Sequence, residues 1–351
     1  MPSSMLELKA FGYRFIGPVV VAFFDAFSKE AKGHGINKLY FLAREGYFLK
    51  ELYSHYQSYG LGISDVNSEY LLCSRAFLFK LMLVDQNQLR DTLIHHYRGS
   101  FKDLLVRRYG FNGGDIDIIV FNRVISHADL GMQVKLPSDS DLVEEMLSKV
   151  AVAIESQLDD KVSIYNNYLN TIGFYESGVT KHVVDIGFSG TIQKALSSLT
   201  GQQTVGHYMV TTPRAVDGVS CKFNGYFGRD KSFQSDFKLL SRSLFLEAML
   251  TAPHGQIVDI FNVDGETRFG FSAKTRAQHE FGQLRAVMEG AKSYMDDVLP
   301  ESLQLGADEI PAYYDSLVSG MLGFPRDLRA VFDVDDHISG FGIINPTQLF
   351  G

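Results

Sequence analysis

Short apolar runs alternate with amphipathic stretches along most of the chain. "KLYFLA" (38–43), "EYLLCS" (69–74) and "HVVDI" (182–186) are compact and mostly apolar, and turn-forming or polar residues bound them. Runs of this length predict strands covered on both faces. "TVGHYMVTT" (204–212) and "CKFNGYFG" (221–228) predict two more. "YFLKELYSHYQ" (47–57), "TIQKALSSL" (191–199) and "SRSLFLEAML" (241–250) place apolar residues three and four apart, the spacing of a helix with one buried face. Residues 18–33 carry the same period and end at Gly33 and Gly35. From about 80 to 180 the pattern is mostly helical, broken at "GFNGGD" and "LPSDSD". "GQIVDIFNVDGETRFGFS" (255–272) predicts a hairpin turning at Asp264-Gly265. Residues 275–333 read as mainly helical, and there is no internal repeat or low-complexity linker.

Strands alternating with helices predict an α/β fold, a parallel sheet with helices on both faces. The expected organisation is a core over 1–250, with a helical insertion at about 80–180, and a hairpin plus helical region over 251–351 packed on it. Ligands of such sheets sit beyond the carboxyl ends of the strands. That rule selects "AREG" after the first run, "SR" after the second and "DIGFSGT" after the third.

The last of these admits several readings. In the plainest it is a strand-to-helix turn, with Ser189 or Thr191 as the helix cap. A methyl-donor loop would use Asp185 and Gly187, but it would want glycines where Ser189 and Thr191 stand, so that backbone could approach ligand. A dinucleotide fingerprint fails because Gly187 and Gly190 are three apart with no third glycine following. In a phosphate cradle the hydroxyls are useful: Ser189, Thr191 and the loop amides donate to phosphate oxygens at a helix start. Asp185 would then accept from sugar hydroxyls, and Lys194 would add a charge or face solvent. "LYFLAREGYFLKELY" has the same strand–loop–helix grammar, with Arg44 past the strand and Gly46 opening the helix. A guanidinium there suits a pyrophosphate, or pairs with Glu45 on the surface. Arg75 is a second candidate cation.

Together the two loops resemble those of the type I phosphoribosyltransferases, whose pyrophosphate loop "FLAREG" resembles and whose ribose-phosphate loop "VVDIGFSGT" resembles. That loop usually has two adjacent acids and one more residue; here Asp185 stands between Val184 and Ile186. A narrower resemblance rests on "YRFIGPVVVAF", "YFLAREGYFL", "VVDIGFSGTIQKAL" and "FLEAMLTAPHG". It is to phosphoribosyltransferase-fold glycosyltransferases of bacterial polysaccharide gene clusters, often fused to or paired with a haloacid-dehalogenase-like phosphatase.

The resemblance implies a type I phosphoribosyltransferase-like sheet and transfer of 5-phosphoribofuranosyl from phosphoribosyl pyrophosphate to a sugar hydroxyl of a glycan or lipid-linked glycan, with inversion. It implies Mg²⁺ held through the donor pyrophosphate, with Asp185 or Glu45 near it through water. Arg44, Glu45, Gly46, Arg75, Gly187, Ser189, Gly190, Thr191 and Lys194 would bind the donor. For the base that takes the acceptor proton, the candidates are Asp185, Glu247 and His254. Glu247 lies among apolar helix residues, where a carboxylate serves a site or pairs with a cation such as Arg242. "AVFDVDDHIS" superficially offers a phosphatase nucleophile in Asp333 and Asp335, but only 16 residues follow Asp335. The 5-phosphate is therefore expected to be removed by a separate phosphatase. A non-catalytic module that binds the donor, and a methyltransferase, remain the alternatives.

Composition narrows the partners. The net charge is −8 with no Lys/Arg block, which argues against nucleic acid but leaves room for a small anion held by local cations. Two cysteines, Cys73 and Cys221, in no metal-binding spacing suit a reducing cytoplasm. "FIGPVVVAFFDAF", interrupted by Pro18 and Asp25, predicts a buried helix too short to span a bilayer. The expected protein is cytoplasmic and meets the inner membrane face only transiently.

Overall fold

Side chains alternate across a strand, so a five-residue apolar run serves two cores at once. In β1 (Lys38–Leu42), Leu39 and Phe41 enter one core while Tyr40 and Leu42 enter the other. The computed structural model describes residues 3–31, 35–319, 331–333, 336–338 and 342–344. Further along the chain come β2 (Asn67–Leu71), β3 (Tyr97–Ser100), β4 (Gln133–Leu136), β5 (Lys181–Asp185), β6 (Thr204–Val210), β7 (Cys221–Gly228), β8 (Ile257–Val263) and β9 (Glu266–Phe271). Five strands form one parallel sheet in the order β2-β1-β5-β6-β7. The α/β class and the parallel sheet flanked by helices follow the sequence reading.

Helices cover both faces. The first core joins Ser3–Ala31, Gly46–Gln57, Leu244–Leu250, Phe281–Val298 and Tyr314. The second joins Arg75–Leu81, the insertion and Thr191–Thr200. The chain beyond 251 serves both sides. The β8–β9 hairpin is tied to the insertion by the Lys161–Asp259 ion pair, whereas Phe281–Val298 lies against the N-terminal helix. Asp264 and Gly265 have φ of 53° and 83°, as the two-residue turn requires.

Several boundaries differ from expectation. The N-terminal helix begins at Ser3 and runs 29 residues through Pro18. An interior proline removes the N–H that would bond the carbonyl four residues back, here that of Arg14. The Tyr313 hydroxyl donates to that carbonyl at 2.7 Å, so the vacancy is filled from another helix. This helix is therefore long and apolar enough to cross a membrane, contrary to the sequence estimate, although 67% of its apolar window is buried inside the protein. It closes on Phe281–Val298 through glycines. A Cβ on Gly12 would lie 1.8 Å from the Val287 carbonyl oxygen, and one on Gly290 1.9 Å from that of Lys9.

The insertion is mostly helical but also contains the antiparallel pair β3–β4. Its strands are four residues each, largely polar and far apart in sequence, so no local period announces them. The expected helix 241–250 is two pieces, Lys238–Ser241 and Leu244–Leu250. The C-terminal region is not wholly helical, since Asp336–Ile338 pairs with Gly342–Ile344. Gly33 and Asp335 lie outside the described residues. Asp333 accepts from the Ala277 N–H through its backbone carbonyl.

The proline repair is measurable. Tyr313→Phe should destabilise the protein by about 0.5–1.5 kcal/mol. In a Pro18→Ala background, where an N–H returns to the helix, the same change should cost close to nothing. Denaturant melts of the four proteins give the cycle.

Candidate functional site

The sheet order reverses direction between β1 and β5, and such a switch point opens a crevice at the carboxyl ends of its strands. A cleft of about 290 Å³ lies there. Arg44, Glu45, Arg75, Asp185, Gly187, Ser189, Gly190, Thr191, Glu247 and His254 all line it. Two sequence candidates do not. Gly46 is buried beneath the loop, where a Cβ would stand 2.5 Å from the Phe41 carbonyl carbon. Lys194 points to a neighbouring cavity, donates to the Arg214 carbonyl and holds its ammonium 5.3 Å from the centre of the Phe223 ring.

Asp185 is the last residue of β5 and is buried. Its carboxylate turns back to accept from the Ile186 N–H at 2.8 Å and also from that of Gly187. Burial is the main force raising its pKa well above the carboxylate range, and the nearby charge of Glu45 adds to it; the two amide bonds oppose both. Buried like charges raise each other in this way. Two carboxyl groups therefore face one small space, oxygen ligands of the kind a hard divalent cation takes.

The loop after Asp185 is shaped by packing. Gly190 has φ 62° and caps the helix Thr191–Thr200. Neither Ser189 nor Thr191 is the cap, contrary to the plainest sequence reading. Ser189 Oγ instead lies 2.9 Å from Thr212 Oγ1, and the Thr212 N–H donates to the Phe188 carbonyl. On the β1 side Ala43 has φ 56°, a left-handed conformation that strains a residue with a Cβ. Its N–H donates to the Cys73 sulfur. Burial pushes the Cys73 thiol up, so it stays protonated and is no nucleophile. Both cysteines are free.

Arg75 opens the helix Arg75–Leu81 after the Ser74 cap, whose hydroxyl accepts from the Phe77 N–H and donates to the Ile257 carbonyl. Glu247 is half-buried on Leu244–Leu250. His254 Nδ1 lies 2.9 Å from the Gly255 carbonyl and Nε2 3.0 Å from the Tyr70 hydroxyl. A neutral ring with its proton on Nδ1 satisfies both bonds. Burial is the main cause lowering its pKa, and Arg44 beside it also lowers it. His254 therefore positions neighbouring groups, with neither nitrogen free to take a proton.

Sequence reasoning missed His95, Arg214, Phe233 and Gln256, which also line the cleft. His95 lies in the insertion and Arg214 in the β6–β7 connection, and neither sits in a motif.

A scan against protein-family models finds no match to this chain, and a search of curated proteins also finds none. The chemistry of the cleft therefore carries the functional argument.

The Asp185 shift has a stability consequence. The folded chain holds this proton to higher pH than the unfolded chain does, so the residue's contribution to stability falls as pH rises from the ordinary carboxylate range through the folded pKa. Asp185→Asn should therefore melt close to the parent protein in acid and increasingly above it toward neutral pH. Melts across that range read the difference directly.

Proposed function

We propose that this protein is a glycosyltransferase of type I phosphoribosyltransferase-like fold that moves 5-phosphoribofuranosyl from phosphoribosyl pyrophosphate to a sugar hydroxyl. The observation that carries the reading is the meeting, in one switch-point cleft, of the carboxylates Asp185 and Glu45, the cations Arg44 and Arg75, and the hydroxyl loop Ser189–Thr191. The motif resemblance supplies the donor; the acceptor as a bacterial glycan or its lipid-linked precursor rests on resemblance alone.

Each group then has a task. Arg44 faces the leaving pyrophosphate with a guanidinium fork suited to its oxygens. Ser189 and Thr191 hold the 5-phosphate, so that binding energy remote from the reaction orients C1. Asp185 and Glu45 would hold Mg²⁺ together with donor oxygens. When bound, the ion would offset the charge that builds on pyrophosphate. The C1–O bond to pyrophosphate breaks with its electron pair leaving on oxygen. The acceptor oxygen bonds C1 from the opposite face, which converts an α donor to a β-ribofuranoside. Its proton passes to a carboxylate of the cleft, and Glu247, which lines it beside the two loops, is the candidate. A separate phosphatase would remove the 5-phosphate afterwards.

The test needs no acceptor. Phosphoribosyl pyrophosphate with Mg²⁺ at a hundred times its dissociation constant should stabilise the folded protein by about 2.7 kcal/mol, read as a thermal shift. Arg44→Ala should abolish the shift and Glu247→Gln should keep it. No shift with this donor, but one with S-adenosylmethionine, would overturn the reading in favour of a methyltransferase.

A further inference from the structure

Two cavities share part of their lining. The cleft and a second cavity of about 620 Å³ share His95, Ser189, Thr191 and Arg214 as lining residues. These four residues form the boundary, or neck, common to both cavities, and they come from three separate parts of the chain. Beyond the neck, the second cavity carries Lys194 and one acidic side chain, the exposed Asp91, on an otherwise neutral lining.

The neck is electropositive by construction. Among the described residues, neither Arg214 nor Lys194 forms an ion pair with a carboxylate. Arg75 approaches from the cleft side. Arg108 lies behind the segment carrying His95, buried, with its guanidinium donating to the carbonyls of Thr92, His95 and His96. Those bonds fix the segment that presents the imidazole. Burial first, then Arg108, Arg75, Arg214 and Lys194, push the His95 pKa down to about 3. The ring is thus neutral at physiological pH and offers an N–H rather than a charge. Ser189 completes the set. Its Oγ lies 2.9 Å from Thr212 Oγ1, and the Thr212 hydroxyl also lies 3.4 Å from the Phe188 carbonyl, so the Ser189 side chain is held at the shared wall.

We propose that the neck is a phosphomonoester site in which Arg214 and His95 bind the phosphate together with Ser189 and Thr191. Two hydroxyls, a guanidinium fork and a neutral imidazole N–H match the acceptor-only oxygens of a phosphate dianion. Lys194, one turn into the helix, adds charge without direct contact. The inference rests on the donor reading of the cleft and adds two residues that neither loop motif contains. It also makes the insertion part of ligand recognition.

The experiment is calorimetric titration of the full chain with ribose 5-phosphate, ribose and phosphoribosyl pyrophosphate plus Mg²⁺. Ribose 5-phosphate should bind and ribose should not. Arg214→Gln, at an exposed position that leaves the fold intact, should weaken ribose 5-phosphate about tenfold or more. His95→Asn should act in the same direction, and Arg90→Gln, paired with Glu144 outside the neck, should not. Unchanged affinity in both Arg214→Gln and His95→Asn would overturn the proposal, and the donor reading would stand if phosphoribosyl pyrophosphate still bound. Arg214-dependent binding of ribose 5-phosphate without any binding of the pyrophosphate donor would keep the neck site and reject the donor reading.

Discussion

β1 and β5 are separated by the whole insertion, yet they pair side by side, Leu39 against His182 and Phe41 against Val184. That parallel register carries the loops of both strands to the same edge of the sheet. It sets Glu45 close enough to Asp185 to raise its pKa, and it brings Arg44 to the rim shared with Ser189 and Thr191. Each strand can hold this place because its side chains are buried on both faces. A slip of one residue would exchange the two faces and move every loop group at once. The cleft is thus a consequence of sheet register, and its chemistry is inherited from two cores that have nothing polar to say about it.

Those cores also sustain a site that costs stability. A buried carboxylate beside another carboxylate, and an alanine with φ 56° at the exit of β1, are both unfavourable locally. On the face beneath the β1 loop, the N-terminal helix and Phe281–Val298 close to backbone contact through Gly12 and Gly290. Elsewhere on the same helix Phe15 packs on Phe245 and Tyr314, and Phe23, Phe24 and Phe27 pack among themselves and on Tyr53 and Tyr226. That face backs the sheet on one side, while the insertion packs on the other.

The central strands β1, β5 and β6 were legible in the sequence because burial on both faces writes a continuous apolar run, and the Asp264-Gly265 turn because its backbone demands those residue types. The edge strand β2 came out at Asn67–Leu71 rather than at 69–74 and is largely half-exposed. Both loops were legible because strand-end position and polar composition coincide there. The start of the N-terminal helix was hidden, since Pro18 reads as a stop unless Tyr313, some 300 residues away in sequence, is known to serve the Arg14 carbonyl. β3 and β4 were hidden because a polar four-residue pair has no period to detect. His95 and Arg214 were illegible for a different reason. Their meaning arises only where three chain segments converge, and nothing in their immediate neighbours marks that point.

The glycines of the two loops decide how the motifs should be weighed. A fingerprint reading gives each glycine to a ligand that must approach bare backbone. In this fold each has a protein neighbour instead. A Cβ on Gly190 would lie 2.1 Å from the Phe223 ring, one on Gly187 2.9 Å from the Val210 carbonyl oxygen, and one on Gly46 2.5 Å from the Phe41 backbone. Packing alone therefore requires all three, and they carry no information about a methyl donor or a dinucleotide. The polar residues Arg44, Arg75, Asp185, Glu45, Ser189 and Thr191 line the cleft. An account of the loops has to explain that set. On the proposed reading, a phosphorylated sugar with a pyrophosphate leaving group would use both its cations and its hydroxyls, and a metal bound with such a donor would draw the proton from Asp185 and pair with the carboxylates.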